Sequence, residues 1–288
     1  MPSLSPEQFK AAMRQAWDRS AGGWNSQHSH IHDWLAEAPR ALLDAAHISP
    51  GMRVLDIAAG AGDQSLEIAR RVGPKGYVLA TDISETILQF AKDNAQRAGL
   101  LNVETRLADA EALNTADARL DAAVCRLGLM FCPNPLLALQ QAYRAVKPGG
   151  HVSVLVFSEP QHNPCIGILM STALSHANEP PRDPFQPGGL LSLGKPGLLD
   201  ALFRTTGFTA VSATRVSAPF RLPSVADYLA FVRSSASPIM QILGGLDPVA
   251  QDAAWADIGG KLSAFQSPTG WIGPNELLLV RGTRPAIA

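Results

Sequence analysis

The residues best suited to chemistry in this chain are three acids and a glycine turn. Val54-Leu55-Asp56-Ile57 reads as a buried strand, and Ala58-Ala59-Gly60-Ala61-Gly62-Asp63 as the turn that opens a helix. Small residues there let a ligand approach the backbone closely, since only Gly and Ala leave that room. A second apolar run, Tyr77-Val78-Leu79-Ala80-Thr81, ends at Asp82, 26 residues after Asp56. An acid at that place suits the two hydroxyls of a ribose. Asp109 follows a third short run, Val103 to Leu107. Strand, acid, glycine turn and second acid together describe a nucleotide site.

Two cofactors compete for this turn, with a turn that binds nothing as the bland third reading. A dinucleotide fingerprint has the form G-x-G-x-x-G/A, its last small residue letting helix pack on strand. Here Gly60-Ala61-Gly62-Asp63-Gln64-Ser65 puts Ser65 at that position, and the acid before the turn, Asp56, has no task in that fingerprint. The D-x-G-x-G-x-G pattern of S-adenosylmethionine (SAM) sites takes Asp56, Ala58, Gly60 and Gly62 in order and departs at Ala58. The SAM reading is the better match.

The elements needed to hold these residues can be traced along the chain. Gln64 to Val72 has helical spacing and is stopped by Gly73-Pro74-Lys75-Gly76, and Ser84 is placed to cap a helix running to Ala98. Leu120 to Cys125 reads as a fourth strand, Pro133 to Val146 as a helix ended by Lys147-Pro148-Gly149-Gly150, and His151 to Phe157 as a fifth strand. Such alternation predicts a Rossmann-like, doubly wound α/β fold with a mostly parallel, seven-stranded sheet. Ser158 to Lys195 shows no clean period and reads as an insertion. A helix over Pro196 to Thr206, a strand over Thr209 to Val216, helices within Ser224 to Phe265 and a last strand over Glu276 to Arg281 complete the chain. The first 45 residues read as a helical cap, and residues 46–288 as the cofactor domain with cap insertions at about 158–195 and 219–270.

Composition removes several classes. With 24 Lys and Arg against 25 Asp and Glu and no basic run, the chain lacks the electrostatic footprint of a nucleic-acid binder. Met1-Pro2-Ser3-Leu4-Ser5-Pro6-Glu7 has neither the basic nor the apolar region of a signal peptide, and no apolar run reaches bilayer length, so a cytoplasmic protein without integral membrane association is expected. Three cysteines, none in a CxxC, argue against a disulfide framework or zinc knuckle. Neither Val124-Cys125 nor Cys132-Pro133 has the Pro-Cys or Thr-Cys order of cytosine-methylating enzymes. The expected partner is a small-molecule acceptor. Oligomeric state is left open, a homodimer included.

Taken in order, Val54 to Asp63, Ala80-Thr81-Asp82-Ile83-Ser84, Ala108-Asp109-Ala110-Glu111-Ala112-Leu113, Leu127-Gly128-Leu129 and Tyr143-Arg144-Ala145-Val146-Lys147-Pro148-Gly149-Gly150 resemble the class I SAM-dependent methyltransferases. The resemblance is strongest to the ubiquinone/menaquinone-biosynthesis type of C-methyltransferase and its small-molecule relatives, and it runs from about Val54 to Pro160. It implies that Asp56, Ala58, Gly60 and Gly62 surround the methionine end of the cofactor, with Asp82 on the ribose and Ile83 against the adenine. Asp109 and Ala110 would receive the adenine edge, and Arg126 and Leu127 would lie beside the sulfonium. Simple roles stand next to these: Asp109 as a loop cap, Arg126 as a salt-bridge partner.

Methyl transfer from a sulfonium is an in-line displacement in which alignment supplies most of the acceleration, and a base is needed only for a protonated acceptor. His162, which follows the fifth strand, and His28, in the N-terminal cap, are the candidates for that base. His28, His30 and His32 at alternate positions suit a metal site only on a strand, and none is expected. Phe9, Trp17, Trp24, Tyr228 and Phe231 suggest a pocket for a flat apolar molecule, with Trp24 and Tyr228 as contacts. The expected activity is SAM-dependent transfer of a methyl group to the carbon, oxygen or nitrogen of a small aromatic or quinone-like acceptor. The rivals are a nicotinamide-dependent oxidoreductase and a SAM-fold binding protein without catalysis.

Overall fold

A computed structural model describes residues 5–35, 37–235 and 237–286. Residues 1–4, on which the leader reading partly rests, lie outside that range. The helices α1 (Pro6–Ser26), α2 (His28–Leu35) and α3 (Ala38–Ala45) precede β1 (Arg53–Ile57), α4 (Asp63–Val72), β2 (Tyr77–Asp82), α5 (Glu85–Arg97), β3 (Val103–Leu107), β4 (Leu120–Arg126), α6 (Pro135–Ala145) and β5 (Val146–Phe157). Then come α7 (Pro164–His176), α8 (Leu198–Thr206), β6 (Thr209–Ser217), β7 (Phe220–Leu222), α9 (Val225–Ser235), α10 (Ser237–Leu243), α11 (Pro248–Leu262), β8 (Gln266–Ser267), β9 (Gly270–Gly273) and β10 (Glu276–Thr283).

The main sheet has seven strands in the order β3-β2-β1-β4-β5-β10-β6. β1 pairs in parallel with both β2 and β4, whereas β10 runs antiparallel between β5 and β6. Strand order reverses at β1 and β4, and in open sheets ligands bind outside the carboxyl ends of the strands at such a switch point. The middle of β1 and of β4 is apolar because helices cover both faces; Val54, Leu55, Ala122, Ala123 and Val124 are all fully buried. Ser153 ties the third helix to the sheet, its hydroxyl donating to the Leu42 carbonyl at 2.8 Å.

Three expectations need correction. The segment 108–119 between β3 and β4 carries no helix, only turns and an isolated bridge from Asp109 to Ala112, so the alternation is incomplete. The insertion after β5 contains α7, whose buried face, Cys165, Ile166, Leu169, Thr172 and Ala173, is hidden in the sequence because the partly exposed side carries apolar Ile168 and Met170 as well. Residues 219–273 hold, besides the expected helices, a small antiparallel sheet ordered β7-β9-β8. Its Trp271 is completely buried and donates from Nε1 to the Leu262 carbonyl at 2.7 Å. No helix among the described residues is long and apolar enough to cross a membrane.

Candidate cofactor and acceptor site

The loops after β1, β2, β3 and β4 and the inner face of α1 enclose a cavity of about 1010 Å³, part of it open to solvent. Ala58, Gly60, Asp82, Ile83, Asp109, Ala110, Arg126 and Leu127, all singled out in the sequence, line it together. Asp56 and Gly62 do not. Gly62 takes φ +93° as the residue preceding α4, and a side chain there would press on Ala91 at 3.0 Å, so its role is to let the helix start close to α5. Asp56 lies beneath the turn, 1% exposed, with Oδ2 accepting from the Ser65 hydroxyl at 2.5 Å and Oδ1 unpartnered. Burial pushes its carboxyl up to about 7, against the pull of the Ser65 hydrogen bond and the Arg126 charge. Its nearest duty is to hold the turn. Ser65, the residue that breaks the dinucleotide pattern, is thus its anchor.

Asp82 ends β2 with both carboxylate oxygens anchored. Gly60 N donates to Oδ2 and Ser84 N to Oδ1, each at 3.0 Å. Burial raises its pKa, while those backbone donors favour the charged form. The side chain remains half-buried at the cavity wall, with lone pairs free for a diol. Ser84 is the residue expected as a cap, and its hydroxyl accepts from Ile87 N at 3.1 Å.

Two non-glycine residues with positive φ flank the switch point: Ala58 (φ 55°) after β1 and Leu127 (φ 57°) after β4. Such strain tends to collect where a site needs its backbone in one position. They are linked through Gly128, where a Cβ would sit 2.3 Å from the Ala58 Cβ. The methyl that Ala58 adds to the motif occupies the space that Gly128 leaves empty.

The first helix forms the roof. Lys10 Nζ lies 2.7 Å from Asp109 Oδ2 and 2.6 Å from Glu111 Oε2. Partial burial works against its charge, but the hydrogen bonds to the two acids outweigh it, and its pKa is raised. Asp109 also caps its own loop, accepting from Glu111 N at 2.9 Å, so the capping role and the cavity-lining place coexist. Sequence reasoning missed Lys10 and Met13 as lining residues, because the helical period of α1 does not say what it faces, and also Phe131 and Pro133 in the turn after β4. Cys125 and Cys132 border the same cavity; burial pushes Cys125 up to about 12 and Cys132 well above its usual value, so both are inert thiols.

A second cavity of about 740 Å³ adjoins the first and shares Trp17, Trp24, Leu127 and Phe131 with it. Its walls are aromatic and aliphatic. Trp34 stacks on Phe220 with centroids 4.1 Å apart and on Phe157 at 6.2 Å, and Tyr228 stacks on Trp271 at 4.5 Å. Trp24 and Tyr228 therefore both border this space, and Trp24 borders the first as well. Phe9 borders neither; it covers Gly188 in the insertion.

The two candidate bases are elsewhere. His162 lines neither cavity and sits in a surface cluster, Nδ1 3.0 Å from Glu276 Oε1 without hydrogen-bond alignment. His28 is exposed on α2, which puts His28 and His32, four residues apart, on one face and turns His30 away from them. Among the described residues no group of three His, Cys, Asp or Glu is placed to hold a metal ion. His47 and His151 stack at 4.5 Å, at the opposite edge of the sheet.

The seven-stranded fold is similar to that of solved methyltransferases. Over residues 30–169 the chain matches the ubiE/COQ5 methyltransferase family. It is 37% identical over 121 residues to the ubiquinone/menaquinone biosynthesis C-methyltransferase UbiE of Hydrogenovibrio crunogenus, covering 42% of this chain and 48% of that protein. The chain thus spans about half the length of the curated relatives it matches. Among solved structures, a putative methyltransferase from Bacillus halodurans superposes with a TM-score of 0.58 at 19% identity, covering 87% of this chain and 100% of that one. Haemonchus contortus phosphoethanolamine N-methyltransferase 2, solved with S-adenosyl-L-methionine, superposes with a TM-score of 0.56 at 15% identity, covering 99% and 61%. At such identities the structures speak for the fold alone.

Proposed function

We propose that this protein binds SAM in the acid-lined cavity and transfers its methyl group to a small, largely apolar aromatic or quinone-like acceptor in the second cavity. The observation that carries this reading is the junction of the two spaces at Trp17, Trp24, Leu127 and Phe131. One side offers carboxylates at 82 and 109 for an adenosine, and the other offers aromatic walls. SAM fits the residues present: the Asp82 oxygens are fixed by backbone donors, and the missing side chain of Gly60 leaves space beside Trp24 Nε1. When bound, the cofactor supplies a sulfonium-activated methyl group. Asp82 would hold the ribose, Ile83 would lie against the adenine, and Asp109 and Ala110 would receive its edge. Arg126, which makes no ion pair among the described residues, suits the cofactor's carboxylate better than its sulfonium, since like charges repel. The electron-rich faces of Trp17, Trp24 and Phe131 suit a cationic sulfur.

None of the four shared residues titrates, and Tyr228, the titratable residue of the second cavity, is kept neutral by burial well above its usual pKa. The acceptor must therefore arrive as a nucleophile, and the protein contributes alignment and exclusion of water. Methylation at carbon is the activity for which the quinone-biosynthesis relatives are named. Calorimetry with S-adenosylhomocysteine and NAD, followed by mass spectrometry of phenol, quinone and heteroaromatic acceptors incubated with SAM, tests the reading. Micromolar binding of S-adenosylhomocysteine and a methyl mass gain are expected. Saturable NAD binding without S-adenosylhomocysteine binding overturns it in favour of the oxidoreductase.

A further inference from the structure

The second cavity is apolar at nearly every wall, which makes its few polar groups informative. Ser235 is already used, its hydroxyl donating to the Phe231 carbonyl at 2.6 Å. Trp34 is used as well, Nε1 donating to the Ala218 carbonyl at 2.9 Å. Asn275 is different. It occupies the turn between β9 and β10, where its backbone carbonyl accepts from Ala218 N at 3.0 Å. The residue is 7% exposed and borders the cavity, yet its side-chain Nδ2 has no hydrogen-bond partner among the described residues. The amide nitrogen is wholly buried in that state. Buried amides are almost always paired, because an unpaired one forfeits its hydration for nothing.

An aliphatic residue at this turn would line the cavity at no such cost, so the amide calls for a partner that the chain itself does not supply. Asn275 shares Ala218 with Trp34, the centre of the Phe157-Trp34-Phe220 stack, so it lies beside that aromatic wall. A flat molecule laid along the stack would present its edge to the amide. Asn carries both a donor and an acceptor, which matches a carbonyl or a hydroxyl oxygen on a ring.

We propose that Asn275 is the specificity-determining residue of the acceptor cavity and that it selects planar acceptors bearing a ring oxygen over hydrocarbons of the same shape. The assignment deepens the methyltransferase reading, on which it rests for the word acceptor, but it concerns binding alone. It also lies outside residues 30–169, so it is a property of this chain's own C-terminal half. Sites that hydrogen-bond a substrate hydroxyl reject the analogue lacking it, because the buried polar group is then left unpaired.

The test is calorimetric titration of the intact protein with 2-naphthol and with 2-methylnaphthalene, matched in shape and differing in the oxygen. Wild type is expected to bind 2-naphthol at least tenfold more tightly, and Asn275→Leu to bring the two within threefold of each other, chiefly by weakening 2-naphthol. Asn275→Gln, which keeps the amide, should restore part of the preference, an outcome that a merely structural residue would not produce. Equal binding of both probes by wild type overturns the proposal whether or not any variant folds, as does a full preference retained by a folded Asn275→Leu protein. Titration with S-adenosylhomocysteine in parallel separates the two readings. S-adenosylhomocysteine binding without a naphthol preference sinks the role of Asn275 alone, whereas the preference without S-adenosylhomocysteine binding sinks methyl transfer alone.

Discussion

Replacing Asp82 is the sharpest test of the cofactor site, because that carboxylate serves two masters. Its oxygens already accept from Gly60 N and Ser84 N at 3.0 Å, and the proposed ribose diol would use the remaining lone pairs. In Asp82→Ala the diol loses hydrogen bonds to a charged group, worth about 1 to 3 kcal/mol, or roughly five- to 150-fold in affinity. The same change strips Gly60 N and Ser84 N of their acceptor. Each unsatisfied buried donor costs about 1 to 3 kcal/mol, so with two donors the apo protein should lose about 2 to 6 kcal/mol of stability. The two effects come apart in Asp82→Asn, which keeps one acceptor oxygen but sets its amide nitrogen against a backbone N–H. S-adenosylhomocysteine affinity by calorimetry, well below the melting temperature, together with urea unfolding of the apo protein, measures both. A folded Asp82→Asn protein that binds S-adenosylhomocysteine within twofold of wild type would show that the ribose lies elsewhere. Normal stability with lost affinity would instead remove the claim that Asp82 fixes the turn.

Asp56→Asn addresses the buried acid beneath that turn. A carboxyl raised from 3.8 to about 7 binds more protons in the folded state than in the unfolded one, so its stabilisation is complete below pH 4 and is lost as pH rises through 7. The variant should therefore be more stable than wild type at pH 8, by up to about 4 kcal/mol, and its melting temperature should fall less between pH 5 and 8; an unchanged pH slope defeats the argument. Gly128→Ala would force a Cβ to within 2.3 Å of the Ala58 Cβ, and should cost about 1 to 3 kcal/mol of stability together with cofactor affinity. A double variant, Ala58→Gly with Gly128→Ala, should recover much of both, and failure to recover would mean that the two methyls do not compete for one space. For a phenolic acceptor, kcat/KM should rise with pH through the acceptor's own pKa and be the same in His162→Ala, since His162 lies outside both cavities. A kcat/KM that falls in a folded His162→Ala protein while S-adenosylhomocysteine affinity is unchanged would restore it as the base.

The residues of the proposed cofactor cavity were legible in the sequence because they follow one another along the chain. Asp56, Gly60 and Asp82 stand at strand ends that hydrophobic runs locate, and a parallel sheet brings consecutive strand ends to one edge. Sequence spacing could not separate residues that face the cavity from those that shape the turn beneath it. Asp56 and Gly62 belong to the second kind, since facing depends on the twist of a turn with φ +58° at Gly60 and +93° at Gly62. The acceptor half was legible only as a tendency toward aromatic residues. Its walls come from α1, α2, β5, α7, β7 and α9, and from a turn before the last strand, so no local period records them. Trp24 and Tyr228 stood out by size, whereas Asn275, between a proline and a glutamate in an ordinary turn sequence, carried no signal at all. What marks Asn275 is that its amide nitrogen is buried without a partner, which becomes visible only once the fold has removed it from water. A histidine shortly after a strand end is a fair candidate for a base, but His162 lines neither cavity. The Asn163 side-chain amide joins β5 to β10, donating to the Glu276 carbonyl and accepting from Glu276 N, so the chain leaves the sheet edge away from the cofactor cavity and takes His162 with it.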